Sequence, residues 1–364
     1  MALYSNIPHP SQAGAPITSN RRNADRKIGM LRRSGLFGTD TKGALIERAC
    51  TADDLQAAYR LVHKIYLDTG FIHPEPAGMR LRIFETTSDT ATFVAKKDGV
   101  VVGVLSVVGD SYDLGLPSDS AFKVELDALR DRGVRLCEVT NQAVSEEFRK
   151  TAVPTELMRC AIAHAMKTGY DSGVATVSPS HRGFYNLLGF QELGSERSYS
   201  QKLHDPVVAL RLDVNEYRKP SDSFDTAKEF IYHLAGAGNP FIAQVGEWAR
   251  RAKRYFLNPD LLETLFVKQR NFLAECTPEQ LRILERRWGQ ELFSAVAGPL
   301  SSPAAEEEPT VPSSSPFCLS ILSTREPAPV RFQGSALFLS KSFPRLRSFA
   351  GRRETHSSAS LALS

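Results

Sequence analysis

The chain has 364 residues, of which 42% are hydrophobic and 24% charged, enough apolar material for one large domain or two smaller ones. A net charge of +4 is too small to argue for nucleic acid, no run of about eighteen uncharged apolar residues marks a transmembrane span, and the N-terminus lacks a signal-peptide core, so a cytoplasmic protein is expected. Its five cysteines, at 50, 137, 160, 276 and 318, include no CxxC pair and indicate neither a disulfide framework nor a metal site.

Residues 1–43 hold Arg21, Arg22, Arg26, Lys27, Arg32, Arg33 and Lys42 against Asp25 and Asp40, with no lasting hydrophobic period, which predicts a disordered basic arm. A strand is expected at 44–48. Thr51 then reads as an N-cap with Asp53 and Asp54 in the first helical turn, and Leu55, Tyr59, Val62 and Tyr66 fall on one helical face. The β-branched runs 92–95 and 100–107 flank Asp98-Gly99, the signature of a tight hairpin. A short helix over 122–132, a strand over 135–144, a helix over 154–168 ended by Gly169 and a strand over 173–177 follow. Next comes VSPSHRGFYNLLGFQELG (177–194), in which Pro179 fixes the entry of the loop while Gly183 and Gly189 allow close packing and a tight turn. Strands over 198–202 and 207–212 complete this region.

From 224 to 297 every signal is helical. Asn239-Pro240 and Asn258-Pro259 each read as N-cap plus first-turn proline, and Thr277-Pro-Glu-Gln280 reads as a capping box. Leu261, Leu262, Leu265, Phe266, Phe272 and Leu273 make an apolar stripe that packs on a neighbour. The Ser- and Pro-rich segment 299–364 predicts a second disordered tail, whose SALFLSKSF patch (335–343) is a candidate for peripheral membrane contact. The domains are thus 1–43, an α/β domain over 44–214, a helical module over 220–298, and 299–364.

Chemistry concentrates on the strand over 135–144. Period two puts Leu136, Glu138, Thr140 and Gln142 on one face and Cys137, Val139 and Ala143 on the other. A strand covered on both sides should be apolar throughout, so three polar side chains on one face point to a wet cleft. Glu138 is the natural group there to position an ammonium or accept its proton; the alternative is a structural pairing with Arg135 or Arg130. His181 has two readings, a base or carrier contact and a cap on the short helix. Walker A, GxGxxG, HExxH and GxSxG motifs are absent, and no metal or tightly bound cofactor is implied.

The hairpin in mid-domain, the strand, helix, strand order after it and the block from Pro179 to Phe190, ending FYNLLGF, resemble the GNAT-type N-acyltransferases. The runs AYRLVHKIYLDTGFI (58–72) and LGLPSDSAFKVELDALRDRGVRLCEVTNQAV (114–144) narrow the likeness to the long-chain N-acyl amino acid synthases, relatives of the acyl-homoserine lactone synthases. The resemblance implies a mixed twisted sheet flanked by helices and an acyltransferase that moves a fatty acyl group from an acyl carrier protein thioester, its co-substrate, to the amine of an amino acid or similar small acceptor. It places the Tyr185 phenol where the leaving sulfur can be protonated, though a purely structural anchor fits the same ring. Thr140, Asn141, Gln142 and Ser178 become candidate substrate contacts, and Arg149, Lys150 and Arg182 candidate carrier contacts.

Departures sharpen the donor. Acetyl-CoA users place a glycine-rich turn after the central strand, where exposed N–H groups cradle pyrophosphate. Here Glu146 to Val153 contains no glycine and two carboxylates, which favours a carrier arm with its single phosphate over free CoA. The autoinducer branch has arginines where this chain has Val62 and Asn141, so lactone chemistry is the weaker expectation. An acyl-CoA-dependent acetyltransferase and a noncatalytic GNAT-fold binding module are the competing readings.

Overall fold

The structure is a computed structural model that describes residues 38–297, apart from 201–202, 220–234, 237, 257 and 269–271, together with residues 26, 29 and 33. The expected tail 299–364 with its SALFLSKSF patch, and nearly all of the arm before residue 38, lie outside the described residues. Within the described part of the expected arm, the Asp40 carbonyl accepts the N–H of Ala152 at 2.9 Å and the Lys42 ammonium donates to the Glu147 carbonyl at 3.0 Å, which ties these two residues to the domain.

The elements run β1 (Leu45–Arg48), α1 (Ala52–Asp68), a 3-10 turn (Ile83–Thr86), β2 (Thr90–Lys97), β3 (Val100–Gly109), α2 (Asp119–Arg130), β4 (Leu136–Val144), α3 (Val153–Thr168), β5 (Ser172–Val177), α4 (Arg182–Leu187), β6 (Gln191–Ser200) and β7 (Leu203–Asp213). Helices α5 (Ile242–Phe256), α6 (Pro259–Glu263), α7 (Phe272–Glu275), α8 (Pro278–Trp288) and α9 (Gln290–Ala297) follow. The strands form one seven-stranded sheet in the order β1-β2-β3-β4-β5-β7-β6, antiparallel except between β4 and β5.

Local chemistry explains the boundaries. Thr51 caps α1 by accepting from the Asp54 N–H at 3.1 Å, and Thr277 and Gln280 form a reciprocal capping box at the start of α8. The hairpin turns at Asp98 and Gly99, both at positive φ (51° and 81°), as a turn matched to strand twist requires. β6 starts at Gln191, seven residues before the expected strand. It is an edge strand rich in charge, with three register irregularities against β7, so no clean alternation marks it.

The sheet is covered on both faces. On one, α3 and α5 pack over Phe93, Leu105, Val107 and Val139; on the other, α1 meets Val94, Val104 and Ala143. Each large side chain buried there, such as Tyr59 or Val62 of α1, stabilises the fold by about 1.5–3 kcal/mol. The C-terminal helices join the α1 side: Leu262, Leu265, Phe266, Leu284 and Trp288 belong to the same buried cluster as α1 and the sheet.

Two irregularities of β4 create the cleft. Its ladder with β5 runs only from Leu136↔Ser172 to Glu138↔Val174, after which the strands part. A bulge at Asn141, with φ 54°, then interrupts the register with β3, which passes from Ser106↔Thr140 to Val104↔Ala143. The extra residue inverts the alternation. The expected single face of Leu136, Glu138, Thr140 and Gln142 therefore ends at Thr140: Ala143 packs on the α1 side, and Gln142 joins Tyr185 on the other.

Candidate active site

A cavity of about 350 Å³ opens where β4 and β5 part. Glu138, Thr140, Gln142, Ser178, His181, Tyr185 and Arg149 all contribute to its wall, so most of the candidate residues meet in one place. Ile65, Phe71, Val144, Pro154, Val177 and Phe184 give it an apolar surface.

Glu138 is 2% exposed and accepts the Ser118 N–H at 2.8 Å. Burial raises its carboxyl to about 7, against the opposing pull of the Ser118 bond and of Arg82. The structural alternative fails on geometry. Arg130 is committed to Asp110, Asp119 and Asp127, and Arg135 donates to the Thr168 carbonyl. A buried carboxyl that titrates near neutrality beside a cavity is suited to take a proton from an incoming group.

Tyr185 is held by α4 and packs edge-on against Phe184 and Phe190, with ring centroids 5.5 and 5.1 Å away. Its hydroxyl donates to Gln142 Oε1 at 2.7 Å, and burial pushes the phenol up, so it keeps its proton. His181 lies next to Phe71, its ring centroids 6.4 Å apart, and burial lowers its imidazole, which keeps it neutral. Gly189, at φ 94°, makes the turn out of α4, whereas a Cβ at Gly183 would meet nothing within 4 Å; the close packing expected at Gly183 is absent because that face is open. Ser178 is bonded to Ser180 at 3.0 Å.

Asn141 is not a wall residue. The bulge turns it inward, where it is fully buried and donates to Glu85 Oε1 at 3.0 Å and Ser106 Oγ at 3.3 Å. Of the expected carrier contacts, Arg149 reaches the cavity and donates to the Val144 carbonyl at 2.9 Å, and Lys150 is exposed. Arg182 is paired with Glu196 at 2.5 Å on β6, outside the cavity wall.

Sequence reasoning missed the cationic part of the site. Met79 and Leu81 are buried, and the residues alternating with them, Arg80 and Arg82, line the cavity. That alternation, M-R-L-R, was the available signal. Arg82 is bonded to Glu85, its Nη2 to Oε1 at 2.6 Å and its backbone N–H to Oε2 at 2.7 Å. Burial pushes the Glu85 carboxyl up, but Arg82 more than offsets this and holds it below its ordinary value. Arg80 is different: its Nε has no hydrogen-bond partner, and among the described residues it has no carboxylate partner; burial, together with Arg82, lowers its guanidinium. The Tyr66 ring lies beside it, 5.3 Å from the guanidinium carbon.

The junction that would cradle a pyrophosphate is closed. The Ala152 N–H is taken by Asp40, the Val153 N–H by Thr151 Oγ1 at 3.2 Å, and residue 154 is proline.

No metal-ligating cluster of His, Cys, Asp or Glu and no helix long and apolar enough to cross a membrane occur among the described residues.

Residues 57–213 match the family model described as N-acyl amino acid synthase FeeM. Among solved structures, that of FeeM, an N-acyl amino acid synthase from uncultured soil microbes, is 27% identical over 51% of this chain and 97% of its own, with a TM-score of 0.44. The CoA-dependent acyl-homoserine lactone synthase BjaI is 15% identical over 56% of this chain and 100% of its own (TM-score 0.39), and an N-acetyltransferase from Lactobacillus plantarum is 13% identical over 47% and 98% (TM-score 0.36). No curated protein sequence matches. Residues 57–213 form an acyltransferase domain similar to that of the N-acyl amino acid synthases.

Proposed function

We propose that the protein transfers a long-chain acyl group from an acyl carrier protein thioester to the amine of a carboxylate-bearing acceptor, an amino acid. One observation carries this reading: a single cavity is lined both by the buried carboxyl of Glu138, which burial raises to about 7, and by Arg80, whose Nε has no hydrogen-bond partner and which has no carboxylate within ion-pair distance among the described residues. A zwitterion supplies what each lacks. Its carboxylate pairs with Arg80, and its ammonium gives a proton to Glu138.

The neutral amine then attacks the thioester carbonyl. As the C–N bond forms and the C–S bond breaks, the second amine proton passes to solvent and the thiolate takes a proton from the Tyr185 hydroxyl or from water. Beyond Glu138 the main chain of β4 that faces the gap lacks ladder partners, which leaves donors for the carbonyl oxygen as charge develops on it. The apolar wall accommodates the acyl chain; each buried methylene contributes about 0.8 kcal/mol.

The closed junction at Ala152 to Pro154 supports the carrier donor. With those main-chain donors used or absent, the pyrophosphate of free CoA gains little, whereas a carrier arm brings one phosphate, for which Arg149 and exposed Lys150 supply charge. The experiment is a donor and acceptor matrix with the full chain: one long acyl group on carrier protein and on CoA, with acetyl-CoA as a third donor, against amino acids and their amides. The reading expects the carrier thioester to win and the amides, which lack the carboxylate, to fail. Comparable turnover with acetyl-CoA, or amides as good as acids, would overturn it.

A further inference from the structure

Two loops deliver the groups around Glu138, and one side chain outside the matched segment 57–213 joins them. The first is the 3-10 turn with the residues after it, which carries Glu85 and so fixes Arg82. The second is the loop 110–118 between β3 and α2, which ends at Ser118, the donor to Glu138. Arg287, in the last turn of α8, donates through Nε to Asp113 Oδ2 at 3.0 Å and through Nη1 to Asp89 Oδ2 at 2.5 Å, and pairs again with Asp113 through Nη2. One guanidinium therefore spans both loops.

Its neighbour strengthens the join. Trp288, 6% exposed, donates Nε1 to the Thr86 carbonyl at 2.9 Å, one residue from Glu85, and its ring packs beside Phe266 and Phe293. The Arg287 and Asp113 side chains are only 18% and 17% exposed, so this pairing is less screened than one in open water. The fork matters: a lysine ammonium is a point charge and cannot hold two carboxylates in fixed directions.

We propose that Arg287 is a positioning residue of the acyltransferase site, acting through Asp89 and Asp113 to hold the loops that present Arg82 and the Ser118 N–H to the cleft. The C-terminal helices are then part of the working enzyme. The inference rests on the reading of Glu138 given above. The charged and titratable groups around Glu138 are Arg82 from the 80–86 segment, Asp119 from α2, Tyr199 from β6 and Cys137 from its own strand; Arg287 bonds to none of them directly.

The test compares Arg287→Ala, Arg287→Lys and Leu284→Ala in the full chain. Leu284 is fully buried in the same helix, so its truncation costs stability without removing a polar tie to either loop. Arg287→Ala should lower kcat/KM about ten-fold or more, because small misplacements at a reacting centre are expensive. It should also move the acid limb of the pH–rate profile down by about half a unit or more, as water enters a site whose burial holds Glu138 up. Arg287→Lys should fall between, and Leu284→Ala should lower the unfolding temperature with both kinetic readouts unchanged. A folded Arg287→Ala with wild-type kcat/KM and limb would overturn the proposal, as would equal kinetic losses in Leu284→Ala. Should Arg287→Ala fail to fold, Asp89→Asn and Asp113→Asn carry the same expectations, and wild-type kinetics in both would be equally decisive. A wild type with no limb near pH 7 would count against Glu138; the clamp is then judged on kcat/KM alone.

Discussion

Glu85, on the 3-10 turn behind the cleft, and Glu138, on the strand that lines it, are each 2% exposed, yet they are pushed in opposite directions. Burial acts upward on both. Glu85 meets a guanidinium fork and the Asn141 amide, which favour its charged form, whereas Glu138 meets Ser118, through its main-chain N–H and its side chain, and the pull of Arg82, which together do not offset burial. Equal burial thus yields a counter-ion in one place and a proton acceptor in the other, because the partners decide what desolvation leaves unsettled.

The comparison breaks most visibly in stability. Glu85→Gln keeps the shape but leaves the half-buried Arg82 without its counter-charge, which should cost about 3 kcal/mol, read as a lower denaturant midpoint. Because the folded Glu85 carboxyl is held below its ordinary value, that contribution is present above the usual carboxylate range and is lost as pH falls through the folded value. Glu138 has the opposite sign. Its preference for the fold is full below the usual carboxylate range and is lost as pH rises through about 7, so Glu138→Gln should gain stability over the wild type between pH 5 and pH 8.5. Unfolding temperatures from pH 5 to pH 8.5 check the sign for Glu138, and their extension below the usual carboxylate range checks the sign for Glu85.

Activity should respond in reverse. Glu138→Gln still accepts the Ser118 N–H but loses basicity, and we expect kcat/KM to fall by about 10² or more with the fold intact. Tyr185→Phe should cost less, about ten-fold or below, since water can protonate a thiolate that already leaves well. A loss at Tyr185 as large as that at Glu138 would move the weight of catalysis to the leaving group.

The sequence was most readable where local chemistry sets the outcome. Asp98-Gly99, the Thr51 cap and the Thr277 box each place an element from a few adjacent residues, and the FYNLLGF block places Tyr185 beside the cleft. Glu138 was legible as a candidate because period two groups it with Thr140 as polar side chains on one face of a strand that should be apolar if covered on both sides. Asn141 and Gln142 were misread because a bulge is a backbone event: positive φ at a non-glycine residue leaves no mark in the hydrophobic period, yet it reverses every side chain after it. Arg80 and Arg82 went unseen because they sit in a segment without regular structure. The tie from Arg287 to Asp89 and Asp113 spans 198 and 174 positions, a separation no local pattern encodes.

The most direct test of the central claim is the pH dependence of kcat/KM for acyl transfer to an amino acid, in the wild type and in Glu138→Gln. The account predicts an acid limb near pH 7 in the wild type, set by the buried Glu138 carboxyl, and its disappearance in the variant. A limb that persists unchanged in Glu138→Gln would assign the proton acceptor to another group and contradict the mechanism.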